Sequence, residues 1–307
     1  MLRGGGCLKN GCLGCLGIVV LIFVFLGVNA IIVASRSGEE NIQDQVRRLE
    51  DAGTDPLVGA AVAVSEEGKP APGHGWLVLE LGQGEFRLRP GEPGSGIVVE
   101  ANYDESIYAL DEYRHTWADS SWVYQVRFHR TITGLQAMLR ELMGGNHQSR
   151  VDIFVDPELA LELNILVTEG GLEADLGGLW LTAVDLRYDK GGIAVEVDEP
   201  LREPVASFTV NGRMGGCELV KLGNASPARL DIRCRMGGTA ADLAGEWRND
   251  CDARLEVVMG GLQVEVPRNL VLDRGAGSGL DRTDVEVPEP TLRILEQKSR
   301  MGEIEID

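Results

Sequence analysis

The sequence predicts a mainly β chain: a single-stack parallel β-solenoid that follows one N-terminal transmembrane helix, with one or two short helices besides. Three observations lead to this prediction. A Gly-Gly pair recurs about every 22 residues in the second half of the chain, as in repeat proteins. Apolar and polar residues alternate on both sides of each pair, and one long uncharged apolar stretch lies near the N-terminus.

The composition is that of a folded and strongly acidic protein. Of the 307 residues, 44% are hydrophobic, which is enough for a real core, and the formal net charge is −19. A surface of this sign repels nucleic-acid phosphates. No nucleic-acid partner is therefore expected.

The apolar stretch at 11–34 carries no charge and is long enough to cross the roughly 30 Å of hydrocarbon in a bilayer. We predict a transmembrane helix here, in contact with the lipid bilayer and preceded by a short cytoplasmic segment at 1–10. Basic residues precede the helix and acidic residues follow it, which favours a single-pass cell-membrane protein with its large C-terminal part outside the cytoplasm. A cleaved signal peptide is the alternative, since Val28-Asn29-Ala30 loosely resembles a cleavage site.

The rest of the chain divides into three parts. Residues 35–56 are predicted to form a juxtamembrane helix and linker, 57–275 the β-solenoid domain, and 276–307 a loop and a closing strand. Leucine and methionine residues at helical spacing predict a helical insertion near 133–145. Alternation with a period of two predicts strands at 75–90, 122–128 and 151–155.

The glycine pairs define the repeat. Their first glycines fall at 170, 191, 215, 237 and 260, so the spacings are 21, 24, 22 and 23 residues. The positions five and seven residues before these glycines are apolar in every repeat. Across the pair, the expected step between inward positions is three residues, so the chain must bend or bulge, and glycine accepts the positive φ that a bend requires. A repeat that cannot bury its own apolar face indicates a solenoid, in which neighbouring repeats stack.

Three details of the register follow from the same alignment. Gly82 is assigned as the corner of the first long strand, at 75–90. The residue just before the glycine is expected to point inward, which places Met214, Met236 and Met259 in the core. Lys221 falls on an inward position six residues after its glycine, so we expect that repeat to open at a bulge.

One set of acidic residues could carry chemistry. Asp175, Glu196, Asp242 and Glu265 share the position five residues after the glycine and form an outward column, which Val220 interrupts. Neighbouring strands are about 4.8 Å apart, so adjacent carboxylates could share a weakly bound cation or act as an acid and a nucleophile. The interpretation we favour is a solvated outer face. No catalytic residue, cofactor site or other metal site is predicted.

The cysteines of the repeat region are expected to be structural. Cys217 and Cys234 occupy inward positions on either side of neighbouring corners, where buried thiols behave as small hydrophobic groups. A disulfide between them is the alternative.

Three stretches of this pattern resemble a known family: WLVLELGQGEFRLRP at 76–90, LALELNILVTEGGLEADLGGLWLTAVDLRYDKGGIAVEV at 159–197, and VPRNLVLDRG at 266–275. They are similar to the membrane-anchored bacterial toast-rack proteins and the related LiaF-like cell-envelope stress proteins. The resemblance implies a β-solenoid that binds or regulates other envelope proteins, and it brings no catalytic residues with it.

The predicted function follows from the anchor, the repeat and this resemblance. We expect a non-enzymatic membrane protein that displays an acidic β-solenoid and binds or regulates other membrane or envelope proteins. One alternative is a self-assembling envelope scaffold or filament, a homo-oligomer built by stacking solenoids. A carbohydrate-active β-helix enzyme, using the acidic column, is a third hypothesis.

Overall fold

The computed structural model describes residues 70–71, 73–132, 149–273 and 290–307. The predicted transmembrane helix at 11–34, the juxtamembrane helix at 35–56 and the helical insertion near 133–145 lie outside the described residues. Within the described ranges, no helix has the length and apolar character needed to cross a bilayer.

Strands account for most of the described chain, so the prediction of a mainly β fold is confirmed. The strands are β1 (Gly75–Pro90), β2 (Ile97–Asn102), β3 (Tyr108–Thr116), β4 (Trp122–Arg130), β5 (Arg150–Val155), β6 (Leu161–Asp175), β7 (Leu181–Glu196), β8 (Phe208–Gly212), β9 (Gly215–Val220), β10 (Arg229–Asp242), β11 (Cys251–Glu265), β12 (Val271–Asp273) and β13 (Thr291–Ile306). A short 3₁₀ helix at Leu222–Ala225 follows β9.

Hydrogen bonds join these strands in the order β12-β13-β11-β10-β8-β7-β6-β1-β4-β3. All neighbours in this path are parallel except β3, which runs antiparallel to β4. The strands β8 and β9 together replace one long strand, because β9 also lies between β7 and β10. At the other end, β5 pairs with β1, and β2 runs antiparallel to β5.

The first long strand does not lie at an end of this order. The chain places β4 and β5 on one side of β1 and adds β6 on the other side. The predicted strands at 122–128 and 151–155 are therefore confirmed as β4 and β5. Their place beyond β1 was not predicted, because an alternating pattern shows that a strand exists without showing its partner.

A column of glycines crosses the sheet at the place where each long strand breaks its inward–outward alternation, and we call this place the bend. Its members are Gly84, Gly170, Gly191, Gly215, Gly237, Gly260 and Gly302, each aligned with the next. The five middle members have φ between 124° and 137°, which confirms the predicted positive φ. A Cβ added to Gly191 would lie 1.8 Å from the carbonyl oxygen of Gly170, so the stacking itself leaves no room for a side chain.

The core lies on the inward face of these strands and alternates as the repeat requires. In β6, the buried side chains are Leu161, Leu163, Ile165 and Val167 before the glycine pair and Leu172 and Ala174 after it. Equivalent apolar residues from neighbouring strands stack above and below them, because the pairing register sets like positions side by side. These strands belong to one compact unit, Gly68–Asp307.

Two register predictions are wrong. The glycine of β1 that joins the column is Gly84, two residues after the predicted Gly82, because it pairs with Gly170. Met214, Met236 and Met259 are 46%, 42% and 40% exposed, so they do not face the core. The last inward position lies three residues before the glycine, and the two residues that follow it both face outward, as they do in a bulge.

The repeat departs from its regular pattern at Lys221 as expected, but the departure is the end of a strand and not a bulge. Strand β9 ends at Val220, and Lys221 adopts a left-handed conformation with φ of 55°. Its side chain is 43% exposed, and Leu222, fully buried, takes the core position instead.

Candidate functional site

The predicted acidic column is present in the halves of the long strands that follow the glycine column. Asp175 is the register partner of Glu196, and Asp242 is the partner of Glu265. Val220 stands between the two pairs, as the alignment indicates. In the part of the chain that the structure describes, no three or more His, Cys, Asp or Glu side chains are gathered in a way that could hold a metal ion.

The aspartates of the column also stabilise turns. Asp175 Oδ1 accepts a hydrogen bond of 3.0 Å from the backbone N–H of Gly177, and Asp242 Oδ1 accepts one of 2.8 Å from that of Ala244. Each carboxylate thereby closes an Asx turn just where its strand ends. This accounts for their side-chain type without a ligand, and cation binding by the column stays a prediction.

Lys221 supplies a positive charge in the middle of the column. Its ammonium group donates a hydrogen bond to Asp198 and lies 3.6 Å from Glu196 Oε1. The hydrogen bond from Lys221 lowers the pKa of Asp198, and the same contact raises the pKa of Lys221. Because both side chains are exposed, solvent screens the ion pair, so it contributes little to stability.

Asn224 ties the neighbouring turns together beneath this surface. It is only 7% exposed, and its amide donates hydrogen bonds of 2.7 Å to the Val197 carbonyl and 3.2 Å to the Asp198 carbonyl. Its side-chain oxygen accepts a bond of 2.9 Å from the Glu246 N–H. Nothing in the alternating pattern points to this role, because it depends on the turn that replaces the regular strand after Lys221.

The cysteines of the repeat are buried thiols. Cys217, Cys234 and Cys251 are all free, so the predicted burial of the first two is confirmed and the disulfide alternative is not realised. Burial raises the pKa of the Cys217 and Cys251 thiols to about 12. At neutral pH both are protonated and therefore weak nucleophiles.

Tyr188 fills the space that a missing side chain leaves. A Cβ on Gly212, in the neighbouring strand, would come within 2.2 Å of the Tyr188 ring. The ring passes over this glycine, and burial raises the pKa of its hydroxyl above the usual range. Gly212 is buried, and the Tyr188 ring is the reason why this inward position carries no side chain.

The second glycines of the pairs form the floor of an open groove of about 980 Å³ on the outer surface. Along the floor lie Gly171, Gly192, Gly216, Gly238 and Gly261, and its edges are mainly acidic, with Glu85, Glu173, Glu218, Glu303 and Glu305. At one end, Arg87 and Glu173 form an ion pair of 2.9 Å. The sequence predicts the glycines but not the groove, because a repeat alignment does not show how far neighbouring side chains project.

The sequence matches no protein-family model and no curated protein. A chain of known structure matches at low similarity: the crystal structure, at 1.95 Å resolution, of a "putative cell adhesion protein" from Clostridium sporogenes ATCC 15579. The identity is 10%, the match covers 78% of this chain and 96% of that one, and the TM-score is 0.34. A score this low establishes no shared fold, so nothing about this chain is concluded from it.

Proposed function

We propose that this chain is a single-pass membrane protein that displays an acidic, single-stack parallel β-solenoid outside the cytoplasm and uses it to bind or regulate other membrane or envelope proteins without catalysing a reaction. The glycine column is the observation that carries the proposal. Seven long segments bend at the same place and are aligned glycine on glycine, which favours one continuous stack.

The distribution of side chains supports a binding module. The apolar side chains fill the inside of the bend, so the outer faces of the strands offer the surface that a partner could contact. Solenoids characteristically use such extended surfaces for binding. The aspartates, thiols and amide that resemble reactive groups have structural partners or are buried, as Asp175, Cys217 and Asn224 illustrate. A member of the toast-rack and LiaF-like group would have this arrangement.

Cysteine labelling in intact cells tests the location. Gln263 is exposed on β11, whereas the native thiols of the repeat are buried. A Gln263→Cys variant should therefore react with a membrane-impermeant maleimide in intact cells, and the unsubstituted chain gives the background. Labelling that requires permeabilised cells would place the domain in the cytoplasm and contradict the proposal.

Photo-crosslinking tests the binding function. A photoreactive residue in place of the exposed Gln263 or Glu218 should link the chain to a small, reproducible set of membrane or envelope proteins. The same residue in place of the buried Leu186 is the matched control and should link to none of them. If no outer position gives a discrete product, the chain is not a binding module of this kind.

The scaffold hypothesis has its own supporting observation. Strand β13 pairs with β11 along its length, but on its other side β12 covers only Thr291–Arg293. Among the described strands, none pairs with the outer edge of 294–305, and open edges favour pairing with another chain. Sedimentation of residues 36–307 tests this: concentration-dependent assembly supports the scaffold, and a single monomeric species rejects it.

A further inference from the structure

A second groove, of about 530 Å³, lies along the halves of the long strands that precede the glycine column, and it is rich in arginine. Only two acidic residues, Asp189 and Glu256, line it. Its five arginines are Arg187, Arg213, Arg233, Arg235 and Arg300. This is a local excess of positive charge in a chain whose net charge is −19.

Three of these arginines have no counter-charge in the described chain. Arg187 forms an ion pair of 2.5 Å with Asp185, and Arg233 forms one of 2.8 Å with Asp231. Within the described ranges, Arg213, Arg235 and Arg300 form no ion pair or side-chain hydrogen bond, and all three are exposed. All three also stand two residues before a glycine of the column.

The position of these charges is unfavourable unless something neutralises them. The segments that carry Arg213 and Arg235 are neighbours in the sheet, where strands are about 4.8 Å apart. Like charges at equivalent places on adjacent strands destabilise a sheet. Bound carboxylates would remove that repulsion, and arginine binds a carboxylate through two parallel hydrogen bonds.

A row of exposed methionines runs beside the arginines. The tripeptide Arg-Met-Gly occurs at 213–215, 235–237 and 300–302, and Val-Met-Gly occurs at 258–260. The four methionines are between 40% and 66% exposed: Met214, Met236, Met259 and Met301. Exposed methionine is typical of surfaces that bind apolar side chains of varied shape, because the thioether chain is flexible and polarisable.

We propose that this arginine groove and the methionine row together bind an acidic, amphipathic polypeptide segment of a partner protein. Carboxylates of the segment pair with Arg213, Arg235 and Arg300, and its apolar side chains cover the methionines. The inference rests on the proposed binding function and assigns that function a surface and a partner chemistry.

The shape and charge favour a polypeptide over other anions. The groove crosses six strands, from β6 to β13, which is about 24 Å and matches about seven residues of an extended chain. A nucleic acid carries no aliphatic side chains for the methionine row, and the net charge of −19 repels its phosphates. A flat anionic bilayer cannot enter a groove, and the net charge of the chain repels it.

Fluorescence anisotropy with the full chain in detergent micelles tests the proposal. The probe is a labelled ten-residue peptide in which glutamate alternates with leucine, and the variant is R213A/R235A/R300A. The control variant removes three other exposed arginines that have no ion pair with a described residue and do not line the groove: Arg89, Arg229 and Arg268. Since both variants change the net charge equally, only a local effect separates them.

We expect the groove variant to weaken binding by about tenfold or more and the control by less than about twofold, since close charge pairs are worth more than distant ones. Met236→Ser/Met259→Ser should also weaken binding, with a circular-dichroism spectrum like that of the unsubstituted chain. The proposal is wrong if both arginine variants bind the peptide alike, or if polyglutamate binds as tightly as the amphipathic peptide.

Two further outcomes would assign the groove to a different occupant and overturn the proposal. Arginine-dependent binding to phosphatidylglycerol vesicles, without peptide binding, would indicate a membrane surface. Self-association that the groove variant abolishes, with peptide binding unchanged, would indicate a second copy of the chain. If the groove variant instead keeps every crosslinked partner of the unsubstituted chain, the binding function stands and this surface is not its site.

Discussion

Substituting one glycine of a pair at a time separates the structural role of the glycine column from the general flexibility of glycine. Gly191 belongs to the column, with φ of 124°, and a Cβ there would lie 1.8 Å from the Gly170 carbonyl oxygen. Gly192, the next residue, has no atom within 4 Å of its added Cβ. We therefore expect Gly191→Ala to destabilise the fold severely and Gly192→Ala to leave it almost unchanged.

The magnitude follows from two contributions. An alanine held at a φ that favours glycine costs about 1–3 kcal/mol. The contact is also 1.2 Å short of the 3.0 Å below which Cβ atoms are essentially never found, so the neighbouring strands must separate. Losing two or three of their hydrogen bonds costs about 1 kcal/mol each. The total is about 4 kcal/mol for Gly191→Ala, whereas Gly192→Ala changes stability by less than about 1 kcal/mol.

Urea unfolding followed by tryptophan fluorescence measures this difference. In thermal unfolding, 4 kcal/mol corresponds to a Tm lower by about 10 °C for a domain of this size. Gly237→Ala and Gly238→Ala repeat the comparison two strands further along. There the Cβ added to Gly237 would lie 1.8 Å from the Gly215 oxygen, whereas the Cβ added to Gly238 has no atom within 4 Å. Equal midpoints for the two members of a pair would refute the close stacking of the column.

Three other predictions concern the interior. Asn224→Ala removes three hydrogen bonds from a buried site and should cost about 2–3 kcal/mol in urea unfolding; an unchanged midpoint would mean that the turns are not joined there. Gly212→Ala should cost about 1–3 kcal/mol through overpacking against Tyr188, and Tyr188→Leu should recover part of that loss; additive losses would show that the two residues do not compete for space. Because the pKa of Cys217 and Cys251 rises from 9.0 to about 12 on folding, stability should fall by about 1 kcal/mol per pH unit per thiol as pH rises above 9. Replacing both cysteines with valine should flatten this decline, and an unaltered pH profile would mean that the thiols are accessible to water.

The sequence predicts the repeat because the repeat is a local pattern. Counting from the glycines is enough to find the buried aliphatic positions and to align Asp175 with Glu196. It does not distinguish Gly82 from Gly84, since the two differ by one full period of a strand and leave the same residues facing inward. Only the pairing with Gly170 decides between them.

The outer surface is harder to predict for a different reason. The direction of Met236 depends on where the bend begins, and a shift of the last inward position moves it from the core to the surface. The hydrogen bonds of Asn224 depend on a turn that departs from the repeat. Packing therefore makes the inside predictable, whereas the functional candidates lie at positions that packing does not constrain.

The weak constraint of packing on outward positions supports the proposal that the methionine row binds a partner. The position just before the glycine holds Glu169 in β6 and Lys190 in β7, so the bend accepts charged residues there. From Met214 onward, the same exposed position holds methionine in every remaining strand of the column. Core packing does not account for this change, because the side chains are outside the core. The fold tolerates charged residues at this position, so folding alone does not explain the methionines. Contact with an apolar partner explains them, because exposed methionine suits such a contact.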